Sequence, residues 1–190
     1  MNAENPSVLI IIDVQLGLDD PDKGHRCNPQ AETNIATLLD HWRRNQSPIV
    51  HVQHDSIETH SKLRAELPGN AFKPEARPLP TEIIVHKSTN SAFVETELDA
   101  ILRENNWRSL IIAGLTTDHC VSASTRNAAD LGYDVTLISD ATAAFECIGH
   151  DGQHYRAETI HNVNLASLNG EFCRVITTGE CLAEQGRIAS

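Results

Sequence analysis

Ser109-Leu110-Ile111-Ile112-Ala113-Gly114-Leu115-Thr116-Thr117-Asp118-His119-Cys120-Val121 carries the strongest fold signal in the chain. An apolar, β-branched run ends at a glycine, turns tightly and leads into a helix-length segment, Asp118–Leu131, that is closed by Gly132. A strand that is apolar at consecutive positions expects cover on both faces, as strands of a parallel sheet have. Similar runs recur along the chain at Val8–Asp13, Ile49–Gln53, Ile83–Lys87, Asp134–Ile138 and Arg174–Thr177.

Helix-length segments separate these runs. Ala31–Arg44 places Ile35, Leu38, Leu39 and Trp42 at helical spacing, Thr96–Glu104 does so with Leu98, Ile101 and Leu102, and a further helix is expected around Tyr155–Leu168. Six strands with crossover helices predict an α/β fold: a three-layer α/β/α sandwich on a six-stranded, mostly parallel, Rossmann-like sheet. A chain of 190 residues suits one such domain, spanning 1–190. The segment from His54 to Glu82 breaks the rhythm. Pro68, Gly69, Pro74, Pro78 and Pro80 punctuate it too densely for a long helix. A connection of that length is expected to serve as a lid, a pocket wall or a partner surface.

Composition narrows the function classes. Lys and Arg number 15 against 26 Asp and Glu, a formal net charge of −11, and no basic run occurs, so neither nucleic acid nor an anionic membrane is an expected partner. The longest strongly apolar run, Val8–Val14, contains Asp13 and is far shorter than the roughly 20 residues of a membrane span. The N-terminal residues show no basic stretch followed by an apolar segment. The five cysteines, Cys27, Cys120, Cys147, Cys173 and Cys181, form no Cys-x-x-Cys pair, so a reducing cytoplasm is the expected location.

Ligands of open α/β sheets bind outside the carboxyl ends of the strands. Three reactive residues are expected there. Asp13 follows Val8–Ile12, Lys87 closes the run from Ile83, and Cys120 lies six residues past Gly114. Each alone has a plainer reading: Asp13 as a turn residue, Lys87 as its ion-pair partner, Cys120 as a small buried hydrophobe. The strand-turn-helix setting favours chemistry for Cys120, because amide N–H groups and the helix dipole there favour thiolate and can receive an oxyanion.

These residues carry a resemblance to the isochorismatase-like cysteine hydrolases, in the amide-hydrolase branch related to nicotinamidase and N-carbamoylsarcosine amidase. It rests on Leu9-Ile10-Ile11-Ile12-Asp13-Val14-Gln15, on His86–Phe93, on Gly114–Val121, on Gly132-Tyr133-Asp134-Val135 and on Asp140–Ala144, in that order. His161–Phe172 is similar to a subset of the family. The resemblance implies a catalytic triad of Asp13, Lys87 and Cys120. It also implies a cis peptide between Leu115 and Thr116, and an oxyanion hole formed by the backbone N–H groups of Thr116 and Cys120. The expected activity is cysteine-dependent hydrolysis of a small-molecule amide C–N bond through a thioester. The alternatives are isochorismatase-type vinyl-ether hydrolysis, which needs no cysteine, and a catalytically silent oligomeric scaffold.

Gln15, His54, Phe93, Thr117 and His119 are expected to line the substrate pocket, from their closeness in sequence to the triad. Among the histidines after the second strand, His51 and His54 are an odd number of residues apart and so face opposite sides of a strand. The chain reads Gln53-His54-Asp55-Ser56 where the nicotinamidase branch has Asp-x-His, so no metal and no cofactor are expected. Asp13-Val14-Gln15-Leu16-Gly17-Leu18 is not a Gly-x-Gly-x-x-Gly loop, which argues against a nucleotide-binding module. The expected partners are a small-molecule substrate and further copies of the chain, as a dimer or tetramer.

Overall fold

The computed structural model describes residues 6–188. In chain order the elements are β1 (Val8–Ile12), α1 (Ala31–Arg44), β2 (Ile49–His54), β3 (Ile83–Lys87), α2 (Leu98–Glu104), β4 (Ser109–Leu115), α3 (Ser122–Asp130), β5 (Asp134–Ala143), β6 (Cys147–Ile148), β7 (His154–Tyr155), α4 (Ala157–Leu168), β8 (Arg174–Ile176) and α5 (Thr178–Ile188). The main sheet runs β3-β2-β1-β4-β5-β8, and every pairing in it is parallel. The chain builds outward from β1 to one edge through β2 and β3. It then returns to the other side of β1 with β4, which makes the β1/β4 boundary the point where the strand order reverses.

Alternation along the strands sorts side chains between two cores. Val8, Ile10 and Ile12 of β1 pack with Leu110 and Ile112 of β4 against Leu98, Leu102, Ala128 and Leu168 of α2, α3 and α4. Leu9, Ile11, Ile111 and Ala113 point the other way, to Ile35, Leu38, Leu39 and Trp42 of α1 and Cys181 of α5. Both faces of β1 and β4 are covered, which is why these strands read as continuous apolar runs.

The structure departs from the sequence expectation in several places. Helix α5 was not anticipated because its segment carries Gly179 and Gly186 and only a weak apolar stripe. Its start is nevertheless a reciprocal cap: Glu180 accepts from Thr177 N–H, and Thr177 Oγ1 accepts from Glu180 N–H. The β6–β7 hairpin is made of two-residue, exposed strands, too short for any periodicity. Helix α3 also begins four residues later than expected, because Thr117–Val121 forms a wider π turn first.

The long connection after β2 is irregular but anchored. Asn70 donates to His54 O, Asp55 Oδ1 and Leu63 O, while Lys73, with a buried side chain, pairs with Asp19 and Glu32. Gly114 fixes the close approach of β1 and β4. Its φ is +132°, and a Cβ there would fall 2.1 Å from Ile12 O. No helix among the described residues is long and apolar enough to cross a membrane.

Candidate active site

Asp13 stands immediately after β1, Lys87 at the last position of β3, and Cys120 inside the π turn that follows β4. The three meet beyond the carboxyl ends of the strands. Lys87 Nζ donates to Asp13 Oδ2 at 2.7 Å, to Thr89 O at 3.0 Å, to His54 Nδ1 at 3.0 Å and to Cys120 Sγ at 3.3 Å. The Lys87 and Asp13 side chains are 0% and 2% exposed. A charged pair this deep is tolerated only because its members face each other.

Asp13 Oδ1 is buried and accepts no hydrogen bond among the described residues. A carboxylate oxygen of Asp13, a ring nitrogen of His54 and Cys120 Sγ lie within 4.8 Å of one another. Burial raises the Asp13 pKa above the ordinary carboxylate value, with the Lys87 charge opposing it. Burial, and then the Asp13 charge, push the Cys120 thiol up to about 12. Desolvation and the Asp13 carboxylate disfavour the thiolate here, while the Lys87 ammonium favours it. Burial and the Lys87 charge hold His54 below its ordinary pKa, so its Nδ1 is an acceptor for the ammonium.

Asp13, His54 and Cys120 offer one ligand atom each to a metal ion, but the Lys87 ammonium already lies within hydrogen-bond reach of all three. A cation entering there would have to displace it. This donor set does not fit a resident metal. His51, as strand alternation requires, faces away from the triad and bonds Glu82 at 2.8 Å through Nε2.

Above the triad lies a cavity of about 480 Å³ whose wall includes Asp13, His54, Asn90, Thr116, Asp118, His119 and Cys120. The His54–Glu82 connection contributes Ser56, Glu58, Ser61 and Leu63, so part of it is a pocket wall. The remaining wall comes from Leu18, Lys23 and Leu115, and from Phe145, Glu146 and Cys147 at the β6–β7 hairpin. Of the five pocket residues expected from sequence, His54 and His119 line this cavity.

The other three lie outside it. Gln15 is buried and ties β1 to β2, donating to His54 O and Asn70 O and accepting from His54 N–H. Phe93 packs on the α2/α3 side, its ring centroid 5.9 Å from that of Tyr133. Thr117 points into a buried network, 2.8 Å from His161 Nδ1 and 3.1 Å from Thr142 Oγ1. Closeness in sequence brought these residues near the triad, while backbone direction turned their side chains into the protein. Asn90 was missed. It lies three residues past Lys87, with its Oδ1 3.8 Å from Cys120 Sγ.

The Leu115–Thr116 peptide is cis. Among the other cysteines, Cys27, Cys173 and Cys181 are buried and Cys147 is exposed at the cavity rim.

Comparison with known proteins is consistent along the chain. A family model described as the isochorismatase domain matches residues 7–180. An isochorismatase family protein of Bacillus subtilis is 41% identical over 179 residues, covering 94% of this chain and 96% of that protein. The crystal structure of an isochorismatase-family protein from Chromobacterium violaceum superposes with a TM-score of 0.94 at 42% identity, covering 97% of this chain and 96% of that one. A ureidoacrylate amidohydrolase of Agrobacterium fabrum is 34% identical over 113 residues, 56% of this chain and 46% of that protein.

Proposed function

The chain belongs to the isochorismatase family of hydrolases, and from that premise and the site geometry we propose that it hydrolyses a small-molecule amide C–N bond with Cys120 as nucleophile. The observation that carries the reading is the buried Lys87 ammonium bonded to both Asp13 and Cys120, beside an unpartnered Asp13 oxygen. Similarity to an amidohydrolase supports C–N cleavage, and a cavity of about 480 Å³ suits a small molecule.

In this mechanism Asp13 Oδ1 takes the Cys120 proton as sulfur attacks the amide carbonyl. Burial makes Asp13 a stronger proton acceptor than a solvated carboxylate, which offsets the high pKa of the thiol. Lys87 holds its positive charge beside both groups, so the negative charge moves from carboxylate to sulfur within reach of one ammonium. The backbone N–H groups of Thr116 and Cys120 receive the carbonyl oxygen as it becomes an oxyanion, worth about 3–4 kcal/mol per donor in comparable hydrolases.

Collapse of the tetrahedral species breaks the C–N bond. The proton on Asp13 passes to the leaving nitrogen, which departs as amine or ammonia and leaves a thioester on Cys120. Water then enters, gives a proton to Asp13 and attacks the thioester. The carboxylic acid is released as the proton returns to sulfur.

The test is amine or ammonia release from a panel of small primary amides and ureido compounds by wild type, Cys120→Ala and Cys120→Ser. Turnover confined to the wild type is the expected result. Turnover that survives Cys120→Ala overturns the nucleophile assignment.

A further inference from the structure

The charges on the cavity wall are lopsided. Beyond the Asp13–Lys87 pair, which neutralises itself, Glu58, Asp118 and Glu146 stand against the single ammonium of Lys23. Arginine, the side chain best shaped to grip a carboxylate with two parallel bonds, is absent from the wall among the described residues. Lys87 has no capacity left, because its three N–H bonds face four acceptors within the protein. Lys23 lies 5.7 Å from the Phe145 ring centroid, at the outer wall.

The carboxylates, by contrast, have acceptor capacity to spare. Asp118 Oδ1 is a buried oxygen without a donor among the described residues. Asp118 Oδ2 has His119 Nδ1 at 3.5 Å, and the Asp118 side chain is 18% exposed. Glu146 is kept below its ordinary pKa by the His25 backbone N–H and then by His154, so it stays anionic. The formal charge of −11 on the whole chain adds a field of the same sign.

We infer that this cavity takes neutral or cationic amides and turns away substrates that carry a carboxylate. The inference rests on the amide-hydrolase reading for its substrate class, while the charge preference stands on the wall itself. Donors on the substrate, such as an ammonium or the N–H groups of an amide or urea, would meet the free carboxylate oxygens. A carboxylate would meet three like charges and no partner able to bind it through two bonds.

Two readouts keep the parts separable. The first follows modification of Cys120, by site-resolved mass spectrometry, with two methanethiosulfonates of similar size, one ending in trimethylammonium and one in sulfonate. Each rate is divided by the rate for the same reagent on the urea-unfolded chain. The expected cation-to-anion ratio is about tenfold or more at low ionic strength, of the order that focused fields produce in clefts. It should shrink with added salt and in the Glu58→Gln/Asp118→Asn double variant. Because both reagents attack the same sulfur, changes in its reactivity cancel in the ratio.

The second readout is kcat/KM for 3-ammoniopropanamide, butanamide and succinamate, matched in length and differing in charge. Succinamate should be the poorest by about tenfold or more. A labelling ratio near or below unity, or succinamate cleaved as well as the cation, overturns the charge inference and leaves the amidase reading intact. A high labelling ratio with no amide cleaved upholds the charge preference and counts against the amidase reading alone.

Discussion

Lys87 Nζ and Asp13 Oδ2 lie 2.7 Å apart in a pocket where neither side chain is more than 2% exposed. Removing one member strands the other. Lys87→Met should abolish turnover and cost about 3–5 kcal/mol of stability at neutral pH. Without the ammonium, the pKa of Asp13, already raised by burial, rises further, so its charged form is what destabilises the variant. The deficit should therefore be large at pH 7 and smaller at acid pH, where Asp13 takes up a proton in the folded state. Urea unfolding at the two pH values checks this.

Activity should follow the ionisation of Asp13. Its raised pKa puts the acid limb of the kcat/KM profile above the ordinary carboxylate value of about 4. Asp13→Asn should lose turnover at every pH, without recovery under alkaline conditions. An acid limb at or below pH 4 in the wild type would remove Asp13 from the role of proton acceptor.

Acid stability should depend on Glu32, which lies outside the cavity wall. Burial disfavours its charge, but hydrogen bonds from Arg26 and Lys73 outweigh burial and hold the carboxyl at about 2. A carboxyl whose folded pKa lies below its unfolded value stabilises the protein above the unfolded value, and that contribution fades as pH falls toward the folded one. The wild type should lose stability between about pH 4.5 and pH 2, and Glu32→Gln should flatten that slope while costing roughly 3 kcal/mol at pH 7. Equal slopes for the two proteins would contradict the assignment.

Thr117 should act as a positioning residue. It sits between Thr116 and the rest of the turn that carries Cys120, and its hydroxyl is held by His161 Nδ1 and Thr142 Oγ1. Asn28 secures the same region through Ser139 O and Thr142 O. Thr117→Val keeps the shape and removes the hydroxyl, so kcat should fall about 10–100-fold with KM little changed, as small misplacements of reacting groups do. Thr117→Ser should restore most of it. A fall in thermal stability with kcat intact would assign Thr117 a structural role only.

The centre of the sheet was readable because β1 and β4 are buried on both faces. Runs such as Val8–Ile12 and Ser109–Ala113 hold no polar interruption, and the charged or small residues that end them mark the edge where ligands bind. Asp13, Lys87 and Cys120 could be named from that edge and from the family's motifs. The cavity wall could not. Glu58, Leu63 and Glu146 come from segments without periodicity, folded back over the triad by bonds such as Asn70 to Leu63 O and Glu146 to His25 N–H. Gln15 and Thr117 lie outside the cavity wall for a related reason: in an extended or tightly turned backbone, neighbours in sequence point in opposite directions. The state of the thiol was also hidden, since desolvation depends on the tertiary burial of Cys120 and not on its position before a helix.

In the proposed reaction a covalent acyl group forms on Cys120 with Asp13 as its proton acceptor. Rapid acid quench of the enzyme with a cleaved amide, followed by peptide mass spectrometry, captures that species. The expected result is an acyl mass increment on the peptide that contains Cys120, formed within the first turnover and absent in Asp13→Asn. Steady turnover with no increment at Cys120, or an increment that forms equally fast in Asp13→Asn, would contradict it.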